Sequence, residues 1–433
     1  MRFLSKLLSR FNTLREFQCL NGKLHDNNME VIIQSLEGHS SLAKIDLGGN
    51  RVEGRALAAL VGLMNNPNSP LMELSLWDCS IDDERARILA AALAINKTLR
   101  KLHLGENKNI TITGWRAIFT QLQSPQSSLD GLDLWKNYNI DIAVANLLAN
   151  ALANGTSLKA LNLGASYEIT TEGWRAVFEG LSSPHCMLQE LLLCSNWFGD
   201  EEVTHLSNAL TSNCVLSELD LSSNSEVTSS GWRAFSAALQ NPNSALISVS
   251  LRGNSIYDDA LTSFANSLVH NNKLKELYLA DNNISSENVT ITNWDALSNV
   301  LCNKSSINTT FNSNHTLQRI IDPKYSDESR LPSDLQTLLQ LNRENTKSEA
   351  ARRKILKVHF SGTFNMQPFI DMDLNALPHA IAWMARNEYG SSLTYTFVRN
   401  TTLFVGIGGE VRSEGEPVPK RQKTRRWNVC SIM

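Results

Sequence analysis

The pattern Leu-x-x-Leu-x-Leu-x-x-Asn returns in fixed phase along most of this chain. It begins at Leu42, Leu71, Leu99, Leu129, Leu158, Leu188, Leu216, Leu246 and Leu274, with spacings of 29, 28, 30, 29, 30, 28, 30 and 28 residues. Repetition at this period restricts the fold to an array of stacked units, because the face buried by one unit is completed by the next. The second apolar slot holds Ile45, Leu74, Leu102, Leu132, Leu161, Leu191, Leu219, Val249 and Leu277. The third holds Leu47, Leu76, Leu104, Leu134, Leu163, Leu193, Leu221, Leu251 and Leu279. Two apolar side chains separated by one residue share a face of a short strand, and the residue between them faces the other way. The last slot carries Asn50, Asn107, Asn137, Asn196, Asn224, Asn254 and Asn282, with Cys79 and Ser166 as substitutes. Its amide can satisfy the backbone of the bend and of the next unit, which makes a buried polar side chain tolerable. Degenerate copies start at Leu14 with Phe17 and at Leu317 with Ile320.

The second half of each unit has helical period. In alternate units a tryptophan heads a stripe with spacing i, i+3, i+4, i+7. Examples are Trp115, Ile118, Phe119 and Leu122, then Trp174, Val177, Phe178 and Leu181. Trp232 and Trp294 head two more, and three copies read Gly-Trp-Arg-Ala, at Gly114, Gly173 and Gly231. That motif is expected to be a packing signature. Between them lie helices such as 85–95, with Ile88, Leu89, Ala92 and Leu93 as the expected buried face. Two unit types therefore alternate over about 58 residues, and Pro125, Pro184 and Pro242 punctuate only the longer one.

Over about residues 14–285 the chain resembles the ribonuclease-inhibitor type of leucine-rich repeat. The resemblance implies an α/β fold: a right-handed leucine-rich-repeat horseshoe, or solenoid, with a parallel sheet on the concave side and helices outside. The domain boundaries expected are an N-terminal cap helix over 1–13, a solenoid over 14–316, a helical C-terminal cap over 317–400, and a flexible linker with a basic tail over 401–433. An Asn-, Ser- and Thr-rich insertion at about 285–313 reads as an outward loop around one helix that keeps Trp294. In the cap, Leu335, Leu338, Leu339 and Leu341 outline one helix. Residues 348–360 outline a second, with Arg352, Arg353, Lys354 and Lys357 read as exposed, and Pro378 opens a third. His379 beside Trp383 reads as a packed histidine, and Asp371 with Asp373 is too small a set for a metal. Neither metal nor cofactor is expected.

The tail carries a different signal. Lys420, Arg421, Lys423, Arg425 and Arg426 form a basic cluster, followed by Cys430-Ser-Ile-Met. This matches the C-a-a-X prenylation pattern with Cys430 as acceptor. One lipid chain binds membranes only marginally, so basic residues facing an anionic leaflet supply the second attraction, at about 1 kcal/mol each. The expectation is a lipid-anchored peripheral protein on a cytoplasmic membrane face. Lys420-Arg-Gln-Lys also fits a nuclear-import signal, which makes a nuclear or nuclear-envelope location the alternative. Seven cysteines without a Cys-x-x-Cys pair suit reduced thiols. Nine Asn-x-Ser/Thr sequons, among them Asn96 and Asn314, read as asparagine-rich repeat loops.

The net charge of −3, from 40 basic and 43 acidic residues, gives no global field toward nucleic acid. No catalytic constellation stands out, and His103 with Asp133 is the best pair, more cheaply explained as a solvated contact. The chain reads as a non-enzyme. By strand phase the outward positions hold Asp46, Asp133, Asp220 and Tyr278, then Glu73, Glu190 and Glu218 one strand position away, opposed by Lys44 and Lys101. Trp77 and Trp135 alternate with glycines at 48, 105 and 164. An acidic concave face with two exposed tryptophans predicts a basic protein or segment as partner. The function expected is a scaffold or adaptor for protein–protein interaction, tethered to a membrane. Alternatives are a soluble or nuclear regulator of a partner enzyme, ribonuclease-inhibitor-like or GTPase-activator-like, and an innate-immune-type recognition protein.

Overall fold

The structure is a computed structural model, and it describes residues 13–22, 24–283, 292–321 and 331–359. The expected cap helix at 1–13 falls almost wholly outside these residues, as do the helix opened by Pro378, the linker and the tail.

Strand and helix alternate throughout. The order is β1 (Glu16–Gln18), α1 (Asp26–Leu36), β2 (Lys44–Asp46), α2 (Gly54–Asn65), β3 (Glu73–Ser75), α3 (Asp83–Ile95), β4 (Lys101–His103), α4 (Ile112–Leu122), β5 (Gly131–Asp133), α5 (Ile142–Ala153), β6 (Ala160–Asn162), α6 (Thr171–Leu181), β7 (Glu190–Leu192), α7 (Asp200–Ser212), β8 (Glu218–Asp220), α8 (Ser229–Leu239), β9 (Ser248–Ser250), α9 (Asp258–Leu268), β10 (Glu276–Tyr278), α10 (Thr292–Leu301), α11 (Ile307–Phe311), β11 (Arg319–Ile321), α12 (Ser333–Glu344) and α13 (Lys347–His359). Each strand from β2 to β11 centres on the second apolar slot of its repeat. The 11 strands form one sheet in chain order, and every pair is parallel, for example Ile45 beside Leu74 and Leu74 beside Leu102. This is a leucine-rich-repeat solenoid, with the sheet on one side and the helices on the other. The sheet runs past the expected solenoid limit at 316, because β11 pairs with β10 through Leu277 and Ile320. The expected 285–313 loop holds two helices, α10 and α11, among its described residues.

The repeat leucines and the helix stripes make one continuous core. Trp115, Trp174 and Trp232 are buried, so the Gly-Trp-Arg-Ala motif is a packing device. Its glycine has a reason as well. A Cβ on Gly114 would stand 2.7 Å from Asp83 Oδ1, the oxygen that accepts the Thr111 and Gly114 amides. Gly231 meets Asp200 Oδ1 in the same way at 2.6 Å. Ile88 departs from its expected burial: it is exposed, while Ala86, Leu89, Ala90, Ala92 and Leu93 form the inner face of α3.

Two sets of asparagines hold the bends. At the strand ends, Asn224 Nδ2 donates to Leu193 O at 3.1 Å and Leu221 O at 2.8 Å. Its Oδ1 accepts from Asn196 N at 2.9 Å and Phe198 N at 3.2 Å. The residue immediately before this slot (Asp78, Glu106, Lys136, Ala165, Ser195, Ser223 or Asp281) adopts positive φ. That left-handed turn is uncommon for side chains with a Cβ and persists because the asparagine bonds over-determine it. At the helix exits, Asn96, Asn213, Asn271 and Asn314 each donate to a carbonyl near the end of a helix in the preceding repeat, at Met64, Leu181, Leu239 and Leu268. Asn96 and Asn314 are sequon residues, and their side chains are buried in these bonds.

The C-terminal edge is finished by α12 and α13. Asn342 Nδ2 donates to Leu317 O at 2.7 Å, and Arg343 Nη2 donates to Gln318 O at 3.0 Å. Lys354 corrects the sequence reading, which placed it on the exposed face. It is fully buried, with Nζ 2.6 Å from Leu301 O, 3.0 Å from Asn314 O and 3.2 Å from His315 Nδ1. Burial pushes its ammonium down to about 7, and burial, with Lys354 beside it, pushes His315 down to about 4.

Three outcomes follow from this packing. Asn224→Ala leaves the Asn196 and Phe198 amides without partners, while Leu193 O and Leu221 O keep the Asn196 and Asn254 side-chain amides. It should cost about 2–3 kcal/mol, read as lost hydrogen-exchange protection at the Asn196 and Phe198 amides. Gly180→Ala would set a methyl carbon 2.6 Å from Ala149 O. This helix glycine should therefore lose about 1–3 kcal/mol on substitution instead of gaining the usual propensity increment, as a lowered urea midpoint shows. Because Lys354 titrates near 7 when folded and at 10.5 ordinarily, the unfolded chain binds more protons between those values. Stability should rise with pH across that window, by up to about 1.4 kcal/mol per unit, and the rise should vanish in Lys354→Met.

Candidate protein-binding face

Side chains alternate across a strand, so the residues flanking each central leucine must line the open face of the sheet. Register assembles them into rows. One row runs Glu16, Lys44, Glu73, Lys101, Gly131, Ala160, Glu190, Glu218, Ser248, Glu276 and Arg319. The next runs Gln18, Asp46, Ser75, His103, Asp133, Asn162, Leu192, Asp220, Ser250, Tyr278 and Ile321. The structure thus brings Asp46, Glu73, Asp133, Glu190, Glu218, Asp220 and Tyr278 onto one face.

The charges are not evenly spread. In the N-terminal half they neutralise one another. Lys44 Nζ lies 2.9 Å from Glu73 and 3.5 Å from Glu16. His103 sits between two carboxylates, 3.4 Å from Glu73 and 3.3 Å from Asp133. The Asp133 hydrogen bond holds the His103 imidazole above its ordinary range despite partial burial. Farther along, Tyr278 Oη donates to Glu276 at 2.8 Å, and Arg319 pairs with Glu276 at 3.6 Å. Between these paired regions, Glu190 and Glu218 stand side by side on β7 and β8 with no ion pair among the described residues. The acidic excess is concentrated there.

The aspartates also have local work. Asp46, Asp133 and Asp220 each accept the amide two residues on, from Gly48 at 3.0 Å, Trp135 at 2.8 Å and Ser222 at 2.8 Å. These turns fix the strand exits and leave the second carboxylate oxygen of each group for other contacts. The tryptophans differ from their expected exposure. Trp77 and Trp135 are half-buried, and they lie against the intervening glycines. A Cβ on Gly105 would be 3.0 Å from Trp77 Cδ1, and one on Gly164 would be 2.9 Å from Trp135 Cδ1. The glycines are small so that the indoles can lie across the neighbouring strand. Where Gly131 and Ala160 leave the first row low, a hollow of about 110 Å³ opens, lined by His103, Asp133, Asn162, Glu190 and Leu192.

Sequence reasoning passed over one feature. The residue after the asparagine slot reads Lys108, Tyr138, Tyr167 and Trp197 in consecutive repeats. In the structure these form a stack on the loop edge. Lys108 Nζ lies 5.2 Å from the Tyr138 ring centre. Tyr138 and Tyr167 stack at 5.7 Å, and Tyr167 and Trp197 at 4.4 Å. Trp197 remains 67% exposed. The column was available from the repeat phase, but it lies outside the leucine motif.

Among the described residues no cluster of side chains could hold a metal ion, and no helix is long and apolar enough to cross a membrane. Cys430, Lys420, Arg421, Lys423, Arg425 and Arg426 lie outside the described residues.

Comparison with known proteins agrees with the architecture. The family described as "Leucine Rich repeat" matches residues 212–236 and 270–287. The chain is 26% identical over 276 residues to NACHT, LRR and PYD domains-containing protein 14 of Mus musculus, covering 64% of this chain and 27% of that protein. It is 30% identical over 202 residues to ribonuclease inhibitor of Mus musculus, covering 46% of this chain and 42% of that protein. Among solved structures, the leucine-rich repeat-containing protein LegL7 from Legionella pneumophila aligns with a TM-score of 0.45 and 17% identity, over 60% of this chain and 82% of that one. The chain therefore spans less than half the length of these two curated relatives. With its parallel sheet, its repeat lattice and these similarities, the chain is a leucine-rich-repeat protein related to ribonuclease inhibitor and to the NACHT, LRR and PYD domains-containing proteins.

Proposed function

We propose that this chain is a non-catalytic protein-binding scaffold whose sheet face holds a basic partner. The observation that carries the reading is the pair Glu190 and Glu218, unpaired carboxylates on adjacent strands, with Asp220 and Leu192 in the next row. Unpaired charge on a rigid, broad surface steers an oppositely charged protein and fixes its register. The half-buried indoles of Trp77 and Trp135 supply apolar anchors that are already ordered, so binding costs them little rotamer freedom. A face of this kind is open, and catalysis calls for convergent groups in a water-poor pocket. The similarity to ribonuclease inhibitor supports a second form of the same reading, in which the bound partner is an enzyme held inactive.

The membrane tether belongs to this proposal as well: Cys430 is its lipid acceptor and the neighbouring basic cluster its second attraction. Its test is the mass of the C-terminal peptide from cells, and an unmodified peptide rejects it. The scaffold reading is tested by quantitative affinity capture with wild type, Trp77→Ala/Trp135→Ala and Glu190→Lys/Glu218→Lys. Recovery of the basic partners should fall at least roughly tenfold in each double variant, and the carboxylate-dependent share should weaken as salt rises. Undiminished recovery by variants with unchanged melting temperatures rejects the face as the binding surface.

A further inference from the structure

We propose that the exposed indole of Trp197 is a stacking site for an arginine side chain of the partner, placed on the loop edge beside the acidic strands. The inference rests on the scaffold reading above and extends it to a second, chemically distinct contact.

The ring stack has one open end. Tyr138 covers one face of Tyr167, and Tyr167 covers one face of Trp197. The asparagine bonds carry the same register onward, since Ser166 N donates to Asn196, Asn196 N to Asn224 and Asn224 N to Asn254. The residues that follow Trp197 in this column are therefore Ser225 and Ser255. Neither fills the space a ring would occupy, so the second face of Trp197 is left uncovered at 67% exposure. An exposed large aromatic held against a ring that is itself backed by another is a preformed platform, because its orientation is fixed before binding.

Charge selects what lands on it. Glu168 and Glu226, which follow the column positions of the flanking repeats, are exposed and carry no ion pair among the described residues. Glu190 and Glu218 stand on β7 and β8, the strands that belong to the repeats of Trp197 and Ser225. The two basic groups of this column and its neighbour, Lys108 and Lys136, sit at the far end of the stack and are paired with Glu106. An open aromatic face with acidic neighbours suits a cation. A planar guanidinium can stack on the indole and still direct its N–H groups to carboxylates, which a lysine ammonium cannot do with the same geometry. The face and its acidic rim also make a nucleic-acid strand a poor match, since its phosphates would meet carboxylates.

The test uses two fluorescein-labelled peptides of equal charge, hexa-arginine and hexa-lysine, titrated into the full chain at low ionic strength and followed by anisotropy. Hexa-arginine should bind roughly two- to fivefold more tightly than hexa-lysine. Trp197 has a φ of 54°, so Trp197→Asn removes the ring while keeping a residue that accepts this backbone. In that variant the preference for arginine should disappear and hexa-lysine affinity should hold, whereas Trp197→Phe should keep part of the preference. Glu190→Lys/Glu218→Lys should weaken both peptides equally and leave the preference intact, which separates failure of the strand face from failure of this site. Equal affinity of the two peptides for wild type overturns the proposal, as does an arginine preference that survives Trp197→Asn. Tighter binding of fluorescein-labelled oligothymidylate than of hexa-arginine would also overturn it, by assigning the ring to a nucleobase.

Discussion

At most strand exits an asparagine amide serves two repeats at once, and the solenoid depends on that double duty. Asn107 Nδ2 donates to Leu104 O of its own repeat and Leu76 O of the one before, while its Oδ1 accepts the Cys79 and Ile81 amides. The backbone at a strand exit is thus satisfied only jointly with the neighbouring repeat. Stability therefore resides in the junctions, as nearest-neighbour coupling in a one-dimensional array requires. The ladder lapses at the serine substitute: Ser166 Oγ has no partner there. At that junction the Tyr138 and Tyr167 rings stack across the same pair of repeats. Ring contact thus supplements the place where amide bonding is thinnest, and the outward continuation of those rings is the Trp197 platform.

The open face shows how one regular scaffold can carry an irregular surface. The inward leucines are nearly invariant in kind because each must fill the same volume. The outward positions have no such duty, and they sort into a neutralised half and an acidic stretch at β7 and β8. The turn aspartates sit between these cases, since one oxygen builds the strand exit while the other points to the open face, where that of Asp133 meets His103. A partner would therefore meet carboxylates whose orientation the backbone has already set, a condition that lowers the entropy lost on association.

Much of this was legible in the sequence, for a physical reason. The strand centres, the buried tryptophan stripes and the face occupied by Glu73, Glu190 and Glu218 all follow from period and phase, which are local properties. Burial that depends on a distant neighbour was not legible. Lys354 lies in a run of basic residues that reads as a solvated helix face, and only the fold reveals that its ammonium reaches Leu301 O and Asn314 O. Trp77 and Trp135 read as exposed from strand phase alone, whereas the alternating glycines are the beds on which the indoles lie. Trp197 escaped notice because its meaning comes from Tyr167 and Tyr138, one and two repeats back along the chain and brought together only in the stack.

A parallel sheet built by repetition has no intrinsic reason to stop at β11. In the interior, each strand's entry carbonyl receives amides from the next strand, as when Ile247 O accepts from Lys275 and Glu276. Repeat serines reach the first-slot leucine, as Ser157 does to Leu129 O. At the last strand, Arg343 occupies Gln318 O and Asn342 occupies Leu317 O. The helix that carries both residues thus imitates the arrival of another repeat without offering a strand of its own. Those two carbonyls, which an arriving strand or repeat serine would need, are therefore already taken by the chain itself.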